Sequence, residues 1–158
     1  MKKKIKDIYF ILDVDGVLTN GQFTYNERGK IAKNFGAHDS DGLDLIKDFF
    51  NILFISSDKK GFKISNRRVT DMGFKLYYVK NQQRLKFVEN YNFNKVIFMG
   101  DGIYDAEILK KVKFGMAPQN AVSEAKKNAH LVTKRCGGDG AVYEACVQIL
   151  KKKIKWEV

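Results

Sequence analysis

Proline occurs once in this 158-residue chain, tryptophan once, and histidine and cysteine twice each. A single proline writes in no stiff linker, and no segment repeats at a fixed period, so one domain spanning residues 1–158 is expected. Cys136 and Cys146 show no CxxC spacing and have no histidine at a zinc-ligand interval, which excludes a metal knuckle and a disulfide framework and fits a reducing cytoplasm. Nowhere does the sequence approach the roughly 20 apolar residues of a membrane span. The apolar stretch behind the N-terminal lysines stops at Asp13, short of the roughly 7–15 residues of a signal-peptide core, so a soluble protein with no membrane partner is expected. Acids are scarce beside bases, 18 against 29, giving a net charge of +11. That balance favours anionic partners without choosing among nucleic acid, acidic lipid and a phosphorylated or carboxylated small molecule. Paired lysines such as Lys59–Lys60 and Lys110–Lys111 read as solvated helix faces. At 44% hydrophobic and 13% aromatic residues the chain has a globular composition, not a disordered one.

What is present alternates. IYFIL (8–12), NILFIS (51–56), KLYYV (75–79), KVIFMG (95–100), FGMA (114–117) and HLVT (130–133) are short, mostly unbroken apolar runs, as expected of strands covered on both faces. Between them, residues 41–50, 83–91 and 104–112 carry apolar side chains at helical spacing, and 141–153 places Val142, Cys146 and Ile149 on one side. Strand and helix alternating over one domain length predict an α/β fold, a doubly wound parallel sheet. One segment departs from that rhythm: residues 21–35 hold two β-type runs around Asn26-Glu27-Arg28-Gly29, which reads as a β-hairpin. Its Phe23, Tyr25 and Phe35, taken alone, read as local packing.

In open α/β sheets the ligand crevice lies outside the carboxyl ends of the strands. The first strand ends in Asp13-Val14-Asp15-Gly16. Continued extension would point both carboxylates the same way, and Gly16 permits a sharp turn. Such a pair serves as metal ligands, as nucleophile with acid/base, or as both. The second strand end offers the hydroxyls of Ser56 and Ser57, followed by Asp58; the third is followed by Arg84, with Lys80 and Lys86 as competitors; the fourth ends in Gly100-Asp101, with Asp105 one helical turn on. Acid pair, hydroxyl, cation and acid pair together form an inventory for Mg²⁺-assisted phosphoryl transfer, because a hard cation prefers carboxylates and the phosphoryl charge needs a cation and donors.

These residues carry a resemblance. DVDGVLT (13–19), a hydroxyl after the second strand, a basic residue opening a later helix and GDGIYD (100–105) resemble the four motifs of the haloacid dehalogenase superfamily. DVDGVLTNG, KNF with Asp39 and Gly42 beyond it, and RCGGDGAVYE (135–144) are similar to its capless 3-deoxy-D-manno-octulosonate 8-phosphate phosphatase group and the relatives acting on nine-carbon sialic-type 9-phosphates, enzymes of lipopolysaccharide or sialic acid biosynthesis. The resemblance implies that Asp13 is the nucleophile and a Mg²⁺ ligand. Asp15 is then acid/base and ligates through its carbonyl, Asp101 and Asp105 complete the metal site, and Ser56 and Arg84 hold the phosphoryl group. It also implies that Ser57, Asp58, Gly137 and Gly138 meet the substrate, and that the hairpin mediates a homotetramer. The chain departs from that pattern in Ser57-Asp58 for Gly-Arg, Arg84 for lysine, Gly102 for a second acid and Tyr143 for arginine. An acid at 58 is more like the nine-carbon branch.

Other readings are narrower. A non-catalytic assembly domain, like those fused to sialic acid cytidylyltransferases, would dispense with some of these motif residues, whereas all of them are present. A nucleic-acid binder is motivated by charge alone, with no aromatic-basic motif, so no nucleic-acid partner is expected. A receiver domain would reverse the order of acid pair and phosphorylated aspartate. His38 reads as a surface or capping residue. Asp39 or Ser40 reads equally as a cap of the following helix or as a substrate contact, and residues 151–158 read as a basic helix end.

Overall fold

In a computed structural model, which describes the backbone of residues 7–156 and the side chains of residues 7–152, the apolar runs form a six-stranded sheet. The strands are β1 (Tyr9–Asp13), β4 (Asn51–Ser56), β5 (Lys75–Tyr78), β6 (Val96–Met99), β7 (Phe114–Ala117) and β8 (Leu131–Val132), in the order β5-β4-β1-β6-β7-β8. Every neighbouring pair is parallel, with Leu12 of β1 level with Phe54 of β4 and Met99 of β6. Strand period divides the core in two. Phe10, Leu12, Phe54, Ile97 and Met99 pack on one side with Leu43, Ile46, Val69, Val142, Cys146 and Ile149. Ile11, Ile55 and Phe98 pack on the other with Val88, Ile108, Leu109 and Ala125. The first set of partners belongs to α1 (His38–Ile46), α2 (Phe62–Asp71) and α6 (Ala141–Trp156), the second to α3 (Arg84–Glu89), α4 (Ala106–Lys111) and α5 (Ser123–Asn128). Helices thus cover both faces, which is why the strands read as unbroken apolar runs. From β1 the chain winds outward through β4 and β5 and then crosses to β6 on the other side. The switch point, where such sheets open a crevice, falls at the carboxyl end of β1.

The hairpin stands apart as a two-stranded antiparallel ribbon, β2 (Thr19–Asn26) with β3 (Gly29–Phe35), closed by a turn at Glu27-Arg28. Asn26 Oδ1 accepts the Arg28 N–H at 2.8 Å, an Asx turn. All of β2 beyond Thr19 is exposed. The packing expected of its aromatics is mixed: Phe35 lies against the core and Lys30 sits 3.5 Å over the Phe23 ring, whereas Tyr25 is 59% exposed. Among the described residues no cap domain stands over the strand ends.

One local expectation changes. The first helix starts at His38 and stops at Ile46, so Phe49 and Phe50 follow the helix and plug the core instead of continuing it. The chain leaves the strand at Asp13 and takes the sharp turn that Gly16 permits: the N–H groups of Val17, Leu18 and Thr19 all point to the Val14 carbonyl, so Asp15 does not continue the extension. Helices α2 and α5 were not legible at all. Only Ser65 and Val69 of α2 and Ala125 of α5 are buried, too few positions to write an apolar stripe. No described helix is long and apolar enough to cross a membrane. The lysines at 2–4 and the side chains of the C-terminal tail beyond 152 lie outside the described residues.

Candidate active site

Asp13 ends β1, 4% exposed, with Oδ1 accepting the Val14 N–H at 2.8 Å and Nη2 of Arg84 at 2.9 Å. Arg84 opens α3 and is held by three partners from three loops. Its Nε donates to Ser57 Oγ at 3.0 Å and its Nη1 to Asp105 Oδ1 at 2.7 Å, beside the bond to Asp13. Burial works against the guanidinium's charge, but the carboxylates of Asp13 and Asp105 outweigh it and keep it protonated. Asp105, nearly inaccessible, accepts the N–H groups of Asp101 and Gly102 on Oδ2, each at 3.0 Å.

Asp13, Asp101 and Asp105 each offer an oxygen within 4.8 Å of the other two. Burial, then the charges of Asp13 and Asp105, push Asp101 well above the ordinary carboxylate value; burial, then the charge of Asp13, push Asp105 up as well despite Arg84. Three carboxylates thus crowd together with one guanidinium for charge balance. That is a donor set for a hard divalent cation, which would relieve the repulsion among the carboxylates. The backbone makes room for it: at Gly16, φ +83°, a Cβ would overlap the Asp101 carboxylate, and at Gly100 it would meet Asp105 Cγ at 2.6 Å.

Asp15 faces the hairpin. Lys33 Nζ lies 2.8 Å from its Oδ1, close enough for an ion pair though outside directed hydrogen-bond geometry. Burial raises the Asp15 pKa above the ordinary carboxylate value, Lys33 pulls it down, and the charge of Asp13 adds to the rise. Asp58 joins the same cluster, with Oδ2 2.6 Å from Lys30 Nζ and 2.8 Å from Lys33 Nζ, and Oδ1 accepting the Gly61 N–H. Burial alone would raise Asp58, but the lysines and the Gly61 N–H outweigh it and hold the carboxyl at about 2. Ser56, fully buried, accepts the Asp58 N–H on Oγ at 3.1 Å. Ser57 donates to the Val79 carbonyl at 2.6 Å, so its hydroxyl supports Arg84 from behind.

Gly137 and Gly138 lie against the turn after Asp15. A Cβ on Gly137 would run into the Gly16 and Thr19 carbonyls, and one on Gly138 would come 2.7 Å from Asn20 N. Asn120 ties the two segments together, donating to Gly16 O at 2.9 Å and accepting the Gly137 N–H at 2.7 Å. Sequence reasoning missed Asn120 and Lys33. Asn120 follows the carboxyl end of β7 and was within reach of the strand-end rule. Lys33 carries no local signal, because its partners come from the turn after β1, the β4 end and α2. His38 is exposed and pairs with Asp41 at 3.7 Å, away from the acids. A groove of about 950 Å³ between α1 and α6, lined by His38, Leu45, Arg135, Tyr143 and Lys151 among others, includes none of the acid cluster.

Residues 79–145 match the family of haloacid dehalogenase-like hydrolases. The 3-deoxy-D-manno-octulosonate 8-phosphate phosphatase of Haemophilus influenzae is 27% identical over 165 residues, spanning 100% of this chain and 91% of that protein. The crystal structure of a probable YrbI family phosphatase from Pseudomonas syringae is 32% identical, covers 92% of this chain and 86% of its own, and superposes with a TM-score of 0.80. The 3-deoxy-D-manno-octulosonate 8-phosphate phosphatase of Moraxella catarrhalis, in complex with magnesium ion, phosphate ion and KDO, is 26% identical over 96% of this chain and 91% of that one, with a TM-score of 0.83. With acids, cation and hydroxyl converging at the switch point of the same fold, the chain belongs to the haloacid dehalogenase-like hydrolases, in the 3-deoxy-D-manno-octulosonate 8-phosphate phosphatase-like group, and is a phosphatase.

Proposed function

We propose that the chain is a Mg²⁺-dependent phosphatase of a phosphorylated ulosonic acid, 3-deoxy-D-manno-octulosonate 8-phosphate in first place, working in the cytoplasm as a single phosphatase unit over residues 1–158. The observation that carries this reading is the convergence of Asp13, Asp101 and Asp105 within 4.8 Å, with Arg84 on Asp13 and Asp15 on the adjoining turn. The relatives named above support the substrate.

Asp13 is the nucleophile: its carboxylate attacks phosphorus, the bond to the sugar oxygen breaks, and an aspartyl-phosphate forms. Asp15 gives its proton to the departing oxygen, then takes one from the water that cleaves the acyl phosphate; burial lifts its pKa in the direction an acid needs. Arg84 and Ser56 hold phosphoryl oxygens, Arg84 through a planar fork already fixed by three partners. Asp13, Asp101, Asp105 and the Asp15 carbonyl would hold Mg²⁺, which when bound neutralises the carboxylates and draws charge from the phosphoryl group. Ser57 and Asp58 flank the substrate's path, and Gly137 and Gly138 shape the turn beside it. The exposed Phe23, Tyr25 and Ile31 of the hairpin support assembly as a homotetramer.

Asp58 favours a second substrate. A carboxylate held ionised beside the site, where the octulosonate group carries arginine, suits a nine-carbon sialic-type 9-phosphate. The test is kcat/KM for both ulosonate phosphates with Mg²⁺, for the wild type and D13N. Turnover of an ulosonate phosphate well above that of simple sugar phosphates, abolished in D13N, is expected. Activity surviving in D13N would remove Asp13 as nucleophile, and equal rates on all sugar phosphates would remove the substrate class.

A further inference from the structure

Lys33 is the one hairpin side chain that enters the reaction centre's surroundings completely: its side chain is 0% exposed. A buried ammonium is costly unless every proton has a partner. Lys33 donates a hydrogen bond to Ser65 Oγ on α2 and forms ion pairs with Asp15 Oδ1 on the turn after β1 and Asp58 Oδ2 beyond β4, each contact at 2.8 Å. Asp58 also binds Lys30 and the Gly61 N–H, so it stands as a permanent counter-charge for Lys33 whatever Asp15 does during turnover. A Cβ at Gly61 would come 2.7 Å from Lys33 Cε and 2.9 Å from Lys30 Cδ, so the backbone there leaves room for the lysine stems. Asp15 has no comparable anchor. Its Oδ1 is buried without a directed hydrogen bond, and its side chain keeps 21% exposure.

Resting on the reading of Asp15 as acid/base, we propose that Lys33 is a positioning residue for Asp15. Held by Asp58 and Ser65, its ammonium fixes the carboxylate from the hairpin side so that the proton is delivered to the departing oxygen. The hairpin thereby becomes part of the reaction centre as well as a surface ribbon. No hydrogen bond or ion pair among the described residues joins Lys33 to Asp13, Asp101 or Asp105, so its variants are expected to spare binding of the phosphoryl group.

The consequence is a dependence on the leaving group. An alkyl phosphate needs a proton at the departing oxygen, whereas p-nitrophenyl phosphate departs as a stable anion without one. kcat/KM for each is measured in the wild type, K33M, D15N and the double variant, all with Mg²⁺. K33M removes the charge and keeps the volume. It is expected to lower kcat/KM on the ulosonate phosphate by about 100-fold and on p-nitrophenyl phosphate by less than about tenfold. In the D15N background K33M is expected to add less than about twofold, because it acts through Asp15. Equal losses on both substrates, full additivity with D15N, or no loss on the alkyl phosphate would overturn the proposal. If K33M does not fold, S65A substitutes: it leaves all charges in place and loosens one of the three contacts, with a several-fold loss confined to the alkyl phosphate expected and a uniform or absent loss overturning the idea. A wild type inactive on both phosphates would instead remove the phosphatase reading on which this rests.

Discussion

At the scale of single residues, Asp39 shows how a capping carboxylate can serve a helix far from it in sequence. It sits in the first turn of α1, whose own N-cap position, Ala37, makes no side-chain bond, and its Oδ1 accepts the Tyr143 N–H at 3.1 Å at the start of α6. The sequence reading offered the following helix or a substrate; the structure uses this carboxylate for a helix more than a hundred residues away. Burial pushes Asp39 up to about 6, against the pull of the Tyr143 and Val142 N–H groups and of Arg68. In the unfolded chain the same carboxyl titrates near 3.9, so the folded state binds its proton more tightly. The stabilisation from that proton is complete below about pH 4 and disappears as pH rises to about 6. D39N should therefore show a flatter stability profile than the wild type between those values, read from urea midpoints across pH 4–7. Gly16 makes a second point. With φ +83° and the Asp101 carboxylate where a Cβ would go, G16A has to displace either the turn or the acid. It should lose more than about 100-fold in kcat, and Mg²⁺, expected to raise the Tm of the wild type, should leave that of the variant unchanged, which a thermal melt with and without the ion would record.

At the scale of elements, legibility followed burial. β1, β6 and β7 were plain in the sequence because almost every side chain in them is inside, and the hairpin was plain because Asn26 and Gly29 carry its turn chemistry. α2 buries only Ser65 and Val69 in ten residues, so its place came from tertiary packing that no local pattern records. The site divided in the same way. Asp13, Ser56, Arg84 and Asp101 were legible from their positions at strand ends. The Lys33–Asp58 contact joins residues of the hairpin and the β4 end and needs the fold to exist first. Within the sheet, Phe54 is fully buried on β4, level with Leu12 and packed into the larger cluster. F54A should cost about 3–5 kcal/mol in chemical denaturation, with the denaturant slope unchanged. A smaller loss would show that the α1, α2 and α6 face closes around the cavity.

At the scale of the molecule, 29 basic side chains against 18 acids surround a centre built from carboxylates. A net charge of +11 is expected to speed encounter with the anionic substrate proposed above, while the chemical step depends on groups in direct contact. Raising ionic strength from about 0.01 M to 0.5 M shortens the Debye length from about 30 Å to a few ångströms. It should lower kcat/KM several-fold and leave kcat nearly constant, which steady-state rates in a sodium chloride series would test. Arg84 works on the same scale from the inside. Its one rigid plane touches the ends of β1 and β4 and the turn before α4 through Asp13, Ser57 and Asp105. It therefore acts as a common gauge for these three segments. None of them can drift alone: a shift of one tilts the plane and is passed to the other two, so the reaction centre keeps its spacing as a whole or loses it as a whole.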